Sequence, residues 1–112
     1  MKELEENIIS FWRGAEEVYK IKEFTVATTL YFKCLFITLD LIIFNKQKQT
    51  PKDHTERFRI LQEEFPNYYL ILDKLFEIYR NTYSAKITQE NCEKVRDNVI
   101  KITKEQRIQL DN

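Results

Sequence analysis

Glycine is nearly absent from this chain. Gly14 is the only one, and Pro51 and Pro66 are the only prolines among 112 residues. Folds built from hairpins need many tight turns, and such turns draw heavily on Gly and Pro. The shortage points instead to long helices joined by few connections. It also excludes a Walker-type phosphate loop, which needs glycines in a loop before Lys-Ser/Thr, whereas the single glycine, Gly14, falls within the first helical segment. Histidine is equally scarce, with His54 alone. The two cysteines, Cys34 and Cys92, form no C-x-x-C pair and no zinc-ligand spacing. Carboxylates are plentiful, among them Glu16, Glu17, Glu63, Glu64, Asp73, Glu77 and Glu90. Di-metal bundles pair such carboxylates with Glu-x-x-His on two helices, and no such motif occurs. No metal and no cofactor are therefore expected. No serine-centred nucleophile motif is present, and Cys34 lies in the most apolar stretch, where a thiolate is disfavoured.

Charge of one sign is missing too. The 18 basic and 18 acidic side chains cancel, so no global field draws the chain to nucleic acid. The N-terminus, MKELEEN, is charged and carries no small-residue cleavage site, and the expected location is the cytoplasm. The two cysteines read as buried thiols of a reducing compartment.

What is abundant is apolar and aromatic surface: 43% hydrophobic and 13% aromatic residues, enough for a real core in one domain spanning 1–112. Residues 3–20 place Leu4, Ile8, Phe11, Ala15 and Val18 on one helical face, widened by Trp12 and Tyr19. A second helix over 24–45 is apolar for about the length of a bilayer span. Lys33 and Asp40 lie seven residues apart within it, in line with Thr25 and Thr29. They mark the solvated edge of a buried core helix, and no membrane span is expected.

NKQKQTPKD (45–53) reads as a loop, with Thr50 as N-cap and Pro51 as first residue of a short helix that ends before Pro66. Pro66 opens a fourth helix over 66–83. After the SAKI loop, Thr88 caps a fifth helix through about Leu110, whose inner stripe is Cys92, Val95, Val99 and Ile102. The expected architecture is all-α, an up-down four-helix bundle with a short additional helix.

Three features could carry chemistry. His54 beside the polar loop reads as a surface residue at a helix start, or as an acid–base group if a partner meets it in space. Lys46, Lys48, Lys52, Arg57 and Arg59 form a basic cluster, either a solvated loop or a phosphate patch. Arg80 and Asn81, in LFEIYRNTY, either finish a helix or belong to a site. A cation suits the last helical turn, Glu77 lies one turn back for pairing, and Asn tolerates left-handed backbone.

The order of these features resembles the HEPN superfamily of small all-α domains. The matching pieces are FWRGAEEVY, ATTLYFKCLFITLDLII, a polar loop leading into His54, FRILQEEF, a proline-started helix ending LDKLFEIYRN, and ITQENCEKVRDNVIKI. The family's sharpest motif is Arg, often followed by Asn or another polar residue, with His four to six residues after the Arg; in its metal-independent ribonucleases the Arg stabilises phosphate and the His does acid–base work. Arg80 and Asn81 match the first half, but Ala85, Lys86 and Ile87 stand where the histidine should be. The resemblance therefore implies the non-catalytic branch: a homodimer that binds a nucleotide, RNA or a partner nucleotidyltransferase, in a context similar to a toxin–antitoxin pair. Arg80, Asn81 and Tyr83 are its implied ligand residues and His54 an accessory. The alternatives are a metal-independent endoribonuclease with a substitute for the missing histidine, and a helical interaction module without a nucleotide site.

Overall fold

Five α-helices make up the regular structure of residues 1–110, the part of the chain that the computed structural model describes, and no strand occurs among them. Helix α1 (Lys2–Lys20) buries Ile8, Trp12 and Ala15 from the stripe anticipated for it, with Glu3 and Glu5 in its first turn. Negative charge there complements the helix dipole.

The end of α1 shows how this chain stops helices without glycine. Lys22 adopts left-handed backbone (φ 65°). Its N–H reaches the carbonyl of Tyr19 at 2.9 Å and the N–H of Glu23 reaches that of Val18 at 3.0 Å. This is a Schellman closure, usually built on Gly because a Cβ crowds the left-handed conformation.

Helix α2 (Phe24–Gln47) is buried around most of its circumference: Ala27, Thr28, Tyr31, Phe32, Cys34, Leu35, Thr38, Leu39 and Ile43 have no exposed surface. By length and composition it could cross a membrane, but 67% of its most apolar window is covered by the rest of the fold. The expected solvated edge is only partly solvated. Lys33 is exposed, whereas Asp40 is covered by Arg57 and Thr25 accepts a hydrogen bond from the Ile87 N–H at 2.9 Å.

Helix α3 (His54–Glu64) starts later than Thr50-Pro51 implied. Asp53 is the N-cap, accepting from the Glu56 N–H at 2.9 Å, while the Glu56 carboxylate takes the Lys52 N–H at 2.8 Å. A carboxylate at the cap satisfies an orphan amide and meets the positive end of the dipole at once, which outcompetes Thr50. Helix α4 (Pro66–Asn81) has its proline in the first turn, as expected, but ends before Tyr83. Helix α5 (Gln89–Glu105) is capped by Thr88, which accepts from the Asn91 N–H at 3.1 Å. Its inner stripe is fully buried. It stops short of Leu110 because Arg107 (φ 59°) closes a second Schellman motif, with the Ile108 N–H on the Thr103 carbonyl at 2.8 Å.

The helix directions follow from paired contacts. Along α1 and α2 the partners run in opposite senses, from the Cys34 thiol donating to the Ile8 carbonyl to Tyr19 against Phe24. Tyr79 and Phe76 of α4 likewise run opposite to Phe32 and Phe36 of α2. Helix α3 packs on α4 through Phe58, edge-on to Phe76 and Tyr69. A polar clamp ties α1 to α5: Arg96 forks onto Glu16 at 2.7 and 3.1 Å, and Tyr31 donates to the same carboxylate at 2.5 Å. Burial opposes ionisation of Glu16, but the hydrogen bonds from Arg96 and Tyr31 outweigh it and hold the carboxyl below its ordinary 4.5. Both cysteines are buried free thiols.

Two substitutions that exchange glycine between these positions should both stabilise the fold. A Cβ at Gly14 would meet only Leu30 Cδ1 at 3.6 Å, an ordinary contact. Gly14→Ala should therefore add about 0.5–1 kcal/mol from helix propensity. Lys22→Gly relieves the left-handed strain and should add a similar amount, about 1 kcal/mol. Urea denaturation of each variant checks this; a loss of stability in Lys22→Gly would contradict the strain assigned to that closure.

Candidate functional site

The most chemically distinctive place in the fold is where α2, α3 and α4 meet. Helix α2 presents Lys33, Phe36 and Asp40 at near-helical intervals, α3 presents His54 and Arg57 one turn apart, and α4 presents Phe76 and Tyr79. Arg57 is largely buried and grips Asp40 through Nε at 2.7 Å and Nη2 at 3.0 Å. Its Cζ also lies 4.9 Å from the Phe36 ring centroid. Such a two-pronged pair fixes the angle at which α3 leaves the loop.

The third guanidinium nitrogen, Nη1, sits 2.6 Å from His54 Nδ1. Arginine has no acceptor, so Nδ1 accepts and His54 is a neutral imidazole with its proton on Nε2. The ring is caged by Phe36, Phe76 and Tyr79, with centroids 4.7, 5.4 and 5.5 Å away. Burial, then the Arg57 charge, hold its pKa below the ordinary 6.5 with a further push from Lys33, against the pull of Asp40 and Asp53. His54 thus opens α3, as the helix-start reading has it, but is half-buried rather than freely solvated. In this state it offers a hydrogen-bond donor, not a base: its one lone pair is committed to Arg57.

A cleft of about 340 Å³ opens beside this cluster, bordered by Phe11, Lys33, Phe36, His54, Tyr79 and Tyr83. That lies at the small end of ligand sites, about 300–1,000 Å³. The Tyr79 and Tyr83 hydroxyls are hydrogen-bonded to each other at 3.0 Å, and their rings meet edge to face. Tyr83 is 79% exposed and forms the outer wall.

The residues singled out in the sequence are only partly brought together. Tyr83 and His54 share the cleft. Arg80 faces a different, larger and more open depression of about 730 Å³ between α3 and α4, shared with Arg59, Lys74, Asp73 and Glu77, and its guanidinium lies 5.8 Å from the Phe76 ring. The Phe76 ring therefore has Arg80 on one contact and His54 on another. Asn81 is exposed and ends α4 with right-handed backbone; its carbonyl accepts from the N–H groups of Ser84 and Ala85. Of the positions where a motif histidine would stand, Ala85 and Lys86 are exposed and Ile87 is buried against the core. The basic cluster of the loop is dispersed: Lys46 pairs with Glu64 at 2.5 Å, Arg59 with Glu63 at 3.1 Å, and Arg57 turns inward. Among the described residues no group of three metal-ligating side chains converges.

Comparisons with protein families, with characterised proteins and with solved structures find no match.

Lys33, Asp40 and Arg57 were not legible as site residues. Lys33 and Asp40 looked like a solvated strip, and Arg57 like one of several loop cations. The available signal was the His54/Arg57 spacing of three, which puts both on one helical face, beside an acidic residue in an otherwise apolar helix.

As His54 is the only histidine, its state can be read directly. Imidazole ¹⁵N spectra should show the Nε2–H tautomer and a titration below 6.5. Because the folded pKa is depressed, the folded state binds fewer protons, so this contribution to stability is complete above 6.5 and is lost as pH falls through the folded value. His54→Gln should flatten that pH slope; an Nδ1–H tautomer would contradict the Arg57 contact.

Proposed function

We propose that this chain is a HEPN-like domain without catalytic activity of its own, which binds a nucleotide or RNA in the cleft between α2, α3 and α4. In this reading α1, α2, α4 and α5 form an up-down four-helix bundle and α3 is the short additional helix. The opposed senses of α1 and α4 relative to α2 support that topology. The domain works as a cytoplasmic homodimer, with a nucleotidyltransferase-type protein as its partner. Arg80, in the depression between α3 and α4, and the exposed Asn81 then lie outside the cleft, available to the partner or to a second subunit.

The observation that carries the reading is the composition of the cleft: tyrosine and phenylalanine rings beside a lysine ammonium and a histidine donor. Rings stack on bases of any identity, and a cation next to them meets the phosphate. The commitment of His54 Nδ1 to Arg57 supports binding over cleavage, because a general base must have its lone pair free in reach of the substrate.

Calorimetric titration with ATP and with single-stranded RNA tests this. At least one should bind, and Tyr83→Ala should weaken it about tenfold, in line with about 1–3 kcal/mol per stacked base. The exposed position of Tyr83 means the melting temperature should not move. Binding by neither ligand, or full affinity in Tyr83→Ala, overturns the reading. Chelator-resistant cleavage of tRNA that disappears in His54→Ala would overturn its non-catalytic part, and a monomer in sedimentation would remove the homodimer.

A further inference from the structure

Besides its two tyrosines the cleft has four titratable neighbours, Lys33, Asp40, His54 and Arg57, and most of their charge cancels. Arg57 and Asp40 neutralise each other through the two-pronged contact, with side chains only 10% and 16% exposed. His54 is neutral because it accepts from Arg57 Nη1. That leaves Lys33, one turn of α2 before Phe36 and two before Asp40. Its ammonium lies 5.9 Å from the Phe11 ring centroid, and it forms no ion pair with a described carboxylate. The cleft therefore carries one uncompensated positive charge.

We propose that the cleft selects a ligand with a single negative charge next to a planar ring, a phosphodiester-bearing nucleotide, with Lys33 as its counter-ion and Asp40 as the residue that holds the limit at one charge. This rests on the nucleotide-binding reading and deepens it. A polyphosphate brings further negative charge into the cleft, where Asp40 already occupies Arg57 and no second free cation meets it. In a partly buried site an anionic charge left without a counter-ion is disfavoured, and such a mismatch discriminates between ligands. A phosphodiester places its one charge on Lys33 and leaves its ring to Tyr79, Tyr83 and Phe11. The volume, about 340 Å³, suits one such unit and no more. Two sources carry this chemistry: a free cyclic mononucleotide and an internal linkage of an RNA strand.

Titrations of the full chain with 3′,5′-cyclic AMP, hexaadenylate and ATP, in chelator so that no divalent ion shields the triphosphate, decide the matter. Cyclic AMP or hexaadenylate should bind about tenfold or more tightly than ATP, corresponding to about 1.4 kcal/mol. Tight cyclic AMP with weak hexaadenylate identifies a free nucleotide as the source, and the converse identifies a strand. Lys33→Ala should abolish the preferred binding and Lys33→Arg should retain it. Asp40→Asn should narrow the gap in favour of ATP, with circular dichroism confirming that the variant is folded. Where it is not folded, the salt dependence of hexaadenylate binding takes its place: one phosphate contact gives a slope of about −0.7 in log K against log salt. ATP bound as tightly as the diesters, or a slope of about −2 or steeper, overturns this inference and leaves nucleotide binding standing. Failure of all three ligands to bind overturns both.

Discussion

A helix that is apolar around nearly its whole circumference gives its neighbours little freedom. Helix α2 can be removed from water only if other helices cover each of its sides, and the rest of this fold is arranged to do so. Helix α1 folds back along it, α5 and α4 take further faces, and α3 closes the remaining end by way of α4. The constraint reaches into the polar chemistry as well. A carboxylate on such a helix cannot be left dry and unpaired, so Asp40 requires a cation from the covering layer, and Arg57 supplies it. Everything distinctive about the cleft descends from that requirement: the placement of α3, the neutral state of His54, and the isolation of Lys33 as the remaining charge.

The polar clamp at the opposite side of the fold follows the same logic with a different outcome. Glu16, Arg96 and Tyr31 satisfy one another, and the Arg96 guanidinium lies over the Trp12 and Tyr19 rings. The network reads as a tie between α1 and α5, with Tyr19 donating onward to the Glu93 carboxylate. The contrast separates two uses of a buried ion pair. One is closed on itself, while the other is open along one edge to aromatic rings and a lysine.

Much of the fold was legible because hydrophobic spacing is a local code. The stripe of α5, the start of α4 at Pro66 and the Thr88 cap all appear where the residues place them. The errors have physical causes. The end of α5 carries no glycine signal, since Arg107 takes the left-handed position. Thr50-Pro51 has the residue types of a helix start, but Asp53 three residues later caps more strongly. The site was the least legible part. Arg80 and Asn81 drew attention through adjacency in sequence, whereas the cleft is assembled from helices whose shared geometry no local pattern records. Lys33, Asp40, His54 and Tyr79 come from three elements, and a lysine and an aspartate on an apolar helix look alike whether they face water or each other's partners. Tyr83 and His54 were the two residues whose sequence prominence and position in the fold coincide.

The segment joining α4 to α5 has a mechanical meaning. The Thr82 hydroxyl donates to the Tyr79 carbonyl at 2.7 Å, and a few residues on Ile87 is sunk into the core with its N–H on Thr25. The stretch carrying Tyr83 is therefore moored at both ends, and its backbone has little slack to swing aside. The exposed Tyr83 ring can therefore change its place at the mouth of the cleft by turning about its side-chain bonds, a motion of ps–ns, without the slower opening of a loop.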